Sequence, residues 1–475
     1  MVPERFAPLV AETAELADRF GQAGRSLYLV GGVVRDAILD RLRPDHDLDL
    51  TTDAAPDEVE ALVTGWADAV WDQGKRFGTV GARKGGRTFE ITTHRAEAYS
   101  PDSRKPDVAF STSIETDLSR RDFTVNAMAL RLGSSAASGP SGAAGASSPE
   151  LIDPFDGLAD LAGQRLRTPL SPAESFGDDP LRMLRAARFM AGYGLEPVPR
   201  LTEAVVELRA RLEIVSAERI RDELDKLMIV ERPGPGLWFL AKTGLSDEFL
   251  PELAALSLEQ DPIHRHKDVL AHTIAVVEKT PASDRLLRLA ALFHDVGKPK
   301  TRSIGPEGVS FHHHEVVGAR MTRERMRALR YPADDVEVVA TLVELHLRFH
   351  TYRLGWTDRA VRRYVRDAGP LLERLNLLTR SDCTTRNEGR ARALAQRMDD
   401  LEQRIEELRA QEEIDAIRPD LDGRQVMELL DIPPGPAVGR ALSFLLELRL
   451  DEGPLGEEEA TRRLREWWRD EKERA

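Results

Sequence analysis

The sequence predicts an α+β protein: a small mixed-sheet domain followed by helices to the C-terminus. Residues 27–130 alternate short β-rich runs (LYLVGG, DLDLTT, FGTVGARK, RTFEITT, VNAMALRL) with turns and one or two helical stretches. From about residue 162 onward nearly every segment has helical period. A chain of 475 residues is also too long for one core, so roughly three or four domains are expected. The expected parts are a sheet head at 1–162, a helical neck at 163–255, a His-rich helical domain at 256–386 and a helical tail at 387–475.

MVPERFAPLVAETAEL reads as an amphipathic helix, without the basic start and apolar core of a signal peptide. In the head, the run GSSAASGPSGAAGASSP at 133–149 is too poor in apolar residues to build a core. ELIDPFDG resumes the strand pattern after it, so an insertion within the domain is expected. In the neck, LRMLRAARFMAGYG is a helix ended by glycine, and SAERIRDELDKLMIV is another with Ser216 at its N-cap. The block from 256 to 385 holds nine of the 11 histidines. Residues 388–414 read as a charged, solvated spacer helix, and the tail as two helices around a Pro/Gly turn.

With 41% hydrophobic and 31% charged residues the composition is that of a soluble protein. No run approaches the roughly 18 apolar residues of a membrane span. The single cysteine, Cys383, excludes an internal disulfide and fits a reducing cytoplasm. A net charge of −14 argues against tight, sequence-blind nucleic-acid binding, though local basic surface can still bind RNA.

The first chemical signal is GGVVRD at 31–36, followed by DHDLDL at 45–50. Gly31 and Gly32 stand at a strand-to-helix turn, where the backbone can approach a triphosphate and the helix N-terminus favours an anion. Asp47 and Asp49 lie at i and i+2 of a strand, so both carboxylates share one face. Two carboxylates held together call for a cation, and Mg²⁺ takes oxygen ligands and bridges phosphates. Two such ions can hold an attacking hydroxyl and a leaving pyrophosphate in line.

Gly31-Gly32, Arg35-Asp36, Asp47 and Asp49 resemble the first signature of the class II tRNA nucleotidyltransferases and bacterial poly(A) polymerases, within the polymerase β-like superfamily. Glu90 in RTFEITT is the candidate third acid. RRDFTVNA at 120–127 resembles the second motif, which contacts ribose and phosphates. Guanidinium forks suit phosphate oxygens, so Arg121 is placed there, with Asp122 or Asn126 on a ribose 2′-hydroxyl. The segment AEAYSPDSRKPDVAF resembles the family's flexible loop, which implies a part for Tyr99, Asp102 and Arg104 in switching from C to A addition.

The third signal is DDPLRMLRAARF at 178–189. Asp179, Arg182 and Arg185 fall at i, i+3 and i+6 along an expected helix surface. A carboxylate only accepts hydrogen bonds and a guanidinium only donates. Cytosine and adenine each offer an amino donor beside a ring acceptor, whereas uracil and guanine offer an acceptor beside an N–H. An Asp/Arg pair therefore selects C and A without a nucleic-acid template. The segment also matches the family's templating motif, with Arg185 supporting the pair or touching the triphosphate. SAERIRDELDKL resembles the next motif, which positions the base-reading helix.

In the histidine block, His272, the adjacent His294-Asp295 followed by Gly297-Lys298, and Asp382 resemble the HD superfamily of metal-dependent phosphohydrolases. The resemblance implies one divalent metal on those four residues, with His314 and His346 as ligands to a second. Neutral imidazole and carboxylate suit Mn²⁺, Ni²⁺, Co²⁺ or Fe²⁺.

The resemblance runs from about residue 25 to 470. It implies a polymerase β-like head followed by an elongated all-α neck, an HD domain and a helical, tRNA-binding tail. It further implies an Mg²⁺-dependent cytoplasmic enzyme that adds CCA to tRNA from CTP and ATP. The alternatives left open are a poly(A) polymerase, a CC- or A-adding enzyme, and an HD-type RNA-end phosphohydrolase with an RNA-binding head.

Overall fold

The computed structural model describes residues 4–42, 46–72, 78–100, 103–133, 149–258, 268–305, 308–351, 356–384 and 387–474. Its strands in the N-terminal region are β1 (Leu27–Val30), β2 (Leu48–Thr52), β3 (Ala69–Trp71), β4 (Thr79–Lys84), β5 (Arg87–Thr93), β6 (Arg95–Ser100), β7 (Ser103–Phe110), β8 (Ala129–Arg131) and β9 (Glu150–Ile152). Seven of them form one sheet in the order β3-β4-β5-β2-β1-β8-β9. Only β2 and β5 run parallel. The apolar run LYLV is buried at all four positions, as suits a central strand covered on both faces. β2 alternates instead: Leu48 and Leu50 enter the core while Asp49 stays exposed. The amphipathic helix Ala7–Gln22 buries Leu9, Leu16 and Phe20 against this core.

Two details of the head depart from expectation. The segment resembling a flexible loop contains the antiparallel hairpin β6–β7, and Asp102 lies outside the described residues. The TVN of RRDFTVNA is a 3₁₀ turn, Thr124–Asn126, rather than the start of a strand. Asp122 accepts from the Phe123 N–H and from Asn126 Nδ2 there, both at 2.9 Å, and such local bonds compete with a strand ladder. β8 and β9 pair directly, so the 133–149 run joins neighbouring strands, and residues 134–148 lie outside the described residues.

The first compact unit, Met1–Pro251, contains both the sheet and the helices that follow it. Helix Pro172–Asp178 opens with a capping box from Ser171 and Glu174. It ends at Asp179, and a new helix spans Leu181–Tyr193, closed by Gly194 at φ 66°. The expectation of Asp179, Arg182 and Arg185 on one continuous helix is therefore corrected. Asp179 precedes Pro180, whose ring disfavours helical backbone before it, and Asp179 is extended at φ −136°, ψ 99°. Helix Ala217–Met228 follows, with Ser216 at its N-cap position but making no side-chain cap bond.

The second unit, Glu252–Ala475, is mostly helical. Helices Val269–Lys279, Arg285–Phe293, His314–Ala328, Ala333–Leu345 and Leu372–Asp382 carry the histidine block. The charged helix Glu388–Gln411 is not a solvated spacer. Met398, Leu401, Ile405 and Leu408 recur at spacings of three and four and are buried, giving it a packed stripe. The tail has three helices, Gly423–Leu430, Pro436–Glu452 and Glu457–Arg474, around a core of Val426, Leu445 and Leu464. No helix among the described residues is long and apolar enough to cross a membrane.

Candidate functional site

Asp49 stands on β2 directly opposite Glu90 on β5, so the two side chains leave the same face of the sheet. Asp47 immediately precedes β2, and all three residues reach solvent, although atoms packed around the Asp49 carboxyl strip part of its hydration. Desolvation in this crowd pushes the Asp49 carboxyl up to about 6. Arg121 opposes that rise, while Glu90 and Asp47 add to it. The three carboxylates offer hard oxygen, the donor type a divalent cation takes, although among the described residues only the histidine block closes into three-ligand clusters.

β1 runs into the glycine turn beside these acids. Gly31 has φ 73°, ψ −131°, a conformation that L side chains rarely adopt, and the helix Gly32–Ile38 starts there. A Cβ on Gly31 would come within 2.9 Å of Arg121 Nη1, so the missing side chain admits that guanidinium.

Arg35 does not face the turn as a free cation. It is buried, bonded to both carboxylate oxygens of Asp36, to Asn126 Oδ1 and to the Tyr193 hydroxyl at 2.5 Å, with its guanidinium 4.1 Å from the Tyr193 ring centroid. Asn126 and Asp122 are likewise spent within the protein. Asn126 accepts from Arg35 and donates to Asp122. Asp122 takes Arg185 Nη2 at 2.5 Å and Nε at 2.8 Å on its other oxygen. Burial alone would raise the Asp122 carboxyl, but Arg185 and Asn126 hold it far below its usual range. In this structure Arg35, Asp122, Asn126 and Arg185 tie the sheet to helix Leu181–Tyr193.

The Arg182 N–H donates to the Asp179 carbonyl at 3.0 Å, but the two side chains bond to other partners. Asp179 Oδ2 accepts from Arg219 Nη2 at 3.0 Å, and Oδ1 accepts from the Leu181 N–H at 3.2 Å. Arg182, 8% exposed, donates through Nη1 to Ser175 Oγ at 2.9 Å and through Nη2 to the Arg120 carbonyl at 2.6 Å. The Arg120 contact brings Arg182 to the residue next to Arg121, whose charge reaches Asp49. Helix Leu181–Tyr193, the arginine motif and the acidic strand are thus joined inside one unit.

The histidine block converges as well. His272, His294 and Asp382 form one possible metal cluster, and Asp295, His314 and His346 a second. Asp295 faces both: Oδ2 lies 3.2 Å from His294 Nε2 and Oδ1 lies 3.4 Å from His314 Nε2. Each ring is oriented from behind. The Nδ1 atoms of His294, His314 and His346 lie 2.7, 2.8 and 2.6 Å from the carbonyls of Ala291, Phe311 and Val343, and His272 Nδ1 lies 2.7 Å from Thr384 Oγ1. That arrangement leaves every Nε2 for a ligand. The Nε2 atom of His346 is buried with no hydrogen-bond partner, and that of His314 points at Asp295 Oδ1 across 3.4 Å, so the residues fit a metal centre. Lys298 Nζ, 2.7 Å from Asp295 Oδ2, adds a cation at its edge.

Comparison with known proteins matches residues 27–167 to the poly A polymerase head domain, 194–256 to the probable RNA and SrmB-binding site of polymerase A, and 267–405 to the HD domain. An A-adding tRNA nucleotidyltransferase of Deinococcus radiodurans is 32% identical over 455 residues, covering 93% of this chain and 95% of that protein. The chain belongs to the tRNA nucleotidyltransferase family. A second family member, the CCA-adding enzyme of Streptococcus suis, is 38% identical over 249 residues, covering 52% of this chain and 56% of the relative. The CCA-adding enzyme of Bacillus stearothermophilus, solved in complex with CTP, shares the fold: TM-score 0.65 at 23% identity, with complete coverage of both chains.

Within this tRNA nucleotidyltransferase two polar residues at the site escaped sequence reasoning. Arg219 holds Asp179 from 40 residues away, and its only signal was the resemblance of SAERIRDEL to a positioning motif. Asp117 lies three and four residues before Arg120 and Arg121 and pairs with both. That spacing was visible, but nothing in it said the carboxylate would be fully buried.

Proposed function

We propose that this tRNA nucleotidyltransferase builds the CCA end of tRNA from CTP and ATP without a nucleic-acid template. The observation that carries the reading is the acidic face of Asp47, Asp49 and Glu90 linked through Arg121 and Arg120 to Arg182. Asp47 and Asp49 would hold Mg²⁺, with Glu90 beside them, and the bound ion would supply Lewis acidity to the primer 3′-hydroxyl and positive charge to the triphosphate. The backbone at Gly31 and Gly32 leaves room for phosphate, and Arg121 faces it with a guanidinium edge. Asp179 accepts from the exocyclic amino group of C or A, and Arg182 donates to the neighbouring ring nitrogen. U and G would leave both unpaired. Arg185, Asp122, Asn126 and Arg35 keep this assembly in register.

The second unit would supply a separate divalent metal centre on His272, His294, Asp295 and Asp382, with His314 and His346 as ligands to a second ion among Mn²⁺, Ni²⁺, Co²⁺ or Fe²⁺. Such a centre suits removal of 2′,3′-cyclic or 3′ phosphates from damaged RNA ends. The chain then divides into a nucleotidyltransferase head at 1–162, a base-reading neck at 163–255, an HD domain at 256–386 and a tRNA-binding tail at 387–475. One cysteine and the absence of a membrane-spanning helix among the described residues support a cytoplasmic enzyme. A partial enzyme, adding only A or only CC, is the second reading: an A-adding enzyme of Deinococcus radiodurans and a CC-adding enzyme of Thermus thermophilus each match nearly the whole chain at 32% identity.

Incubating the protein with tRNA lacking its 3′ CCA and each labelled nucleotide in turn decides between them. Two C additions and then one A are expected, with UTP and GTP poor. Addition of A only to tRNA already ending in CC, or of two C with no A to follow, would replace this reading with the second.

A further inference from the structure

Asp117 sits on the short helix Ile114–Ser119, N-capped by Ser113, and its side chain is closed to solvent. Its Oδ1 takes Arg120 Nη2 at 2.6 Å and its Oδ2 takes Arg121 Nη2 at 3.2 Å. One carboxylate therefore holds two guanidiniums. Arg121 faces the acids as well: its charge acts on Asp49 and its Nη1 lies over the Gly31 turn. Arg121 Nε is buried with no hydrogen-bond partner, so the guanidinium is held by the Asp117 bond and its outer edge is free to be aimed. His94 lies nearby, with Nδ1 2.9 Å from Thr51 Oγ1 on β2. Burial alone would raise the Asp117 carboxyl, but Arg121 and Arg120 hold it below its usual range, so it stays charged.

We propose that Asp117 is a positioning residue for nucleotide addition, one that aims Arg121 at the incoming triphosphate across the Gly31 turn. The inference rests on the reading of Arg121 as a phosphate ligand. Two guanidiniums repel each other, and without a carboxylate between them the pair has no reason to stay together. With it, the fork is set before the nucleotide arrives, and binding does not have to order it. Through Arg120, whose carbonyl accepts from Arg182, the same carboxylate steadies the base-reading arginine.

The test is steady-state kinetics on Asp117→Asn, Arg121→Ala and the double variant, with tRNA lacking CCA as primer. Asp117→Asn is expected to raise KM for CTP and for ATP about tenfold while kcat changes little, since one charge-assisted bond is lost. In the Arg121→Ala background the same change should add almost nothing, because the two residues act as one unit. Multiplicative effects beside a raised KM in Arg121→Ala would overturn this inference alone. A wild-type KM in Arg121→Ala would overturn the reading of Arg121 and this inference with it. If Asp117→Asn does not fold, Arg121→Lys carries the test. A single ammonium cannot hold Asp117 and a triphosphate as a fork does, so KM should rise as in Arg121→Ala, and an unchanged KM would overturn the inference.

Discussion

Replacing Arg182 by Met probes base selection while keeping an unbranched stem of similar volume. Arg182 is 8% exposed and donates to Ser175 Oγ at 2.9 Å and to the Arg120 carbonyl at 2.6 Å, so these bonds fix its position before a base arrives. The remaining N–H groups are those available to a ring nitrogen. Losing one charge-assisted hydrogen bond costs about 1.5–3 kcal/mol, or roughly 10- to 150-fold in kcat/KM for CTP. UTP, which presents an N–H where cytosine presents an acceptor, gains nothing from Arg182 in the native enzyme. Its kcat/KM should stay nearly constant, so the C-over-U ratio should shrink by the same factor. The Arg120 carbonyl loses its donor, and the melting temperature should fall in parallel by an amount corresponding to about 1–3 kcal/mol. The assay is single-nucleotide addition with CTP and UTP on the same primer, with a thermal melt of each protein. A folded Arg182→Met enzyme with an unchanged C-over-U ratio would refute the argument.

Three further outcomes are expected. Gly31→Ala should destabilise the head by about 1–3 kcal/mol, because φ 73° is strained for alanine and its Cβ would meet Arg121, and KM for CTP should rise with it in kinetic assays. Asp122→Asn should cost about 2 kcal/mol, less than a fully buried pair because the Arg185 side chain is 31% exposed. The folded Asp122 carboxyl is depressed, so its stabilisation is full above the unfolded value of 3.8 and is lost as pH falls through the lower folded value. The melting-temperature gap between native and variant should be equal at neutral and mildly acidic pH and close only below about pH 4, whereas a gap persisting in strong acid would contradict this. His346→Gln should lower the metal bound to the second unit, measured by elemental analysis, and leave CTP incorporation unchanged.

Much of the head was legible because its chemistry is written in contiguous residues. Period-two alternation put Leu48 and Leu50 inward and Asp49 outward, and the Gly-Gly turn stands next to it. The histidine ligands were legible through resemblance alone, since His272 and Asp382 meet only when helices more than 100 residues apart pack together. The partners of Arg35, Asp179 and Arg182 were not legible. Tyr193, Arg219 and the Arg120 carbonyl reach them only through tertiary packing, and a residue type does not say whether its hydrogen bonds are already taken. Two departures were within reach of simple rules. Asp179 precedes a proline, which predicts a helix boundary there. The charged helix carries Met398, Leu401, Ile405 and Leu408 at core spacing, which its charge density hid.

The most direct test of the account is CTP incorporation by Asp49→Asn on tRNA stripped of its last three nucleotides, at saturating Mg²⁺. Removing one of the charges that gather the ion should depress addition by at least about a hundredfold in a protein that melts normally. Near-native incorporation by that variant would mean that the chemistry happens elsewhere, and the strand-borne acids would lose their assigned role.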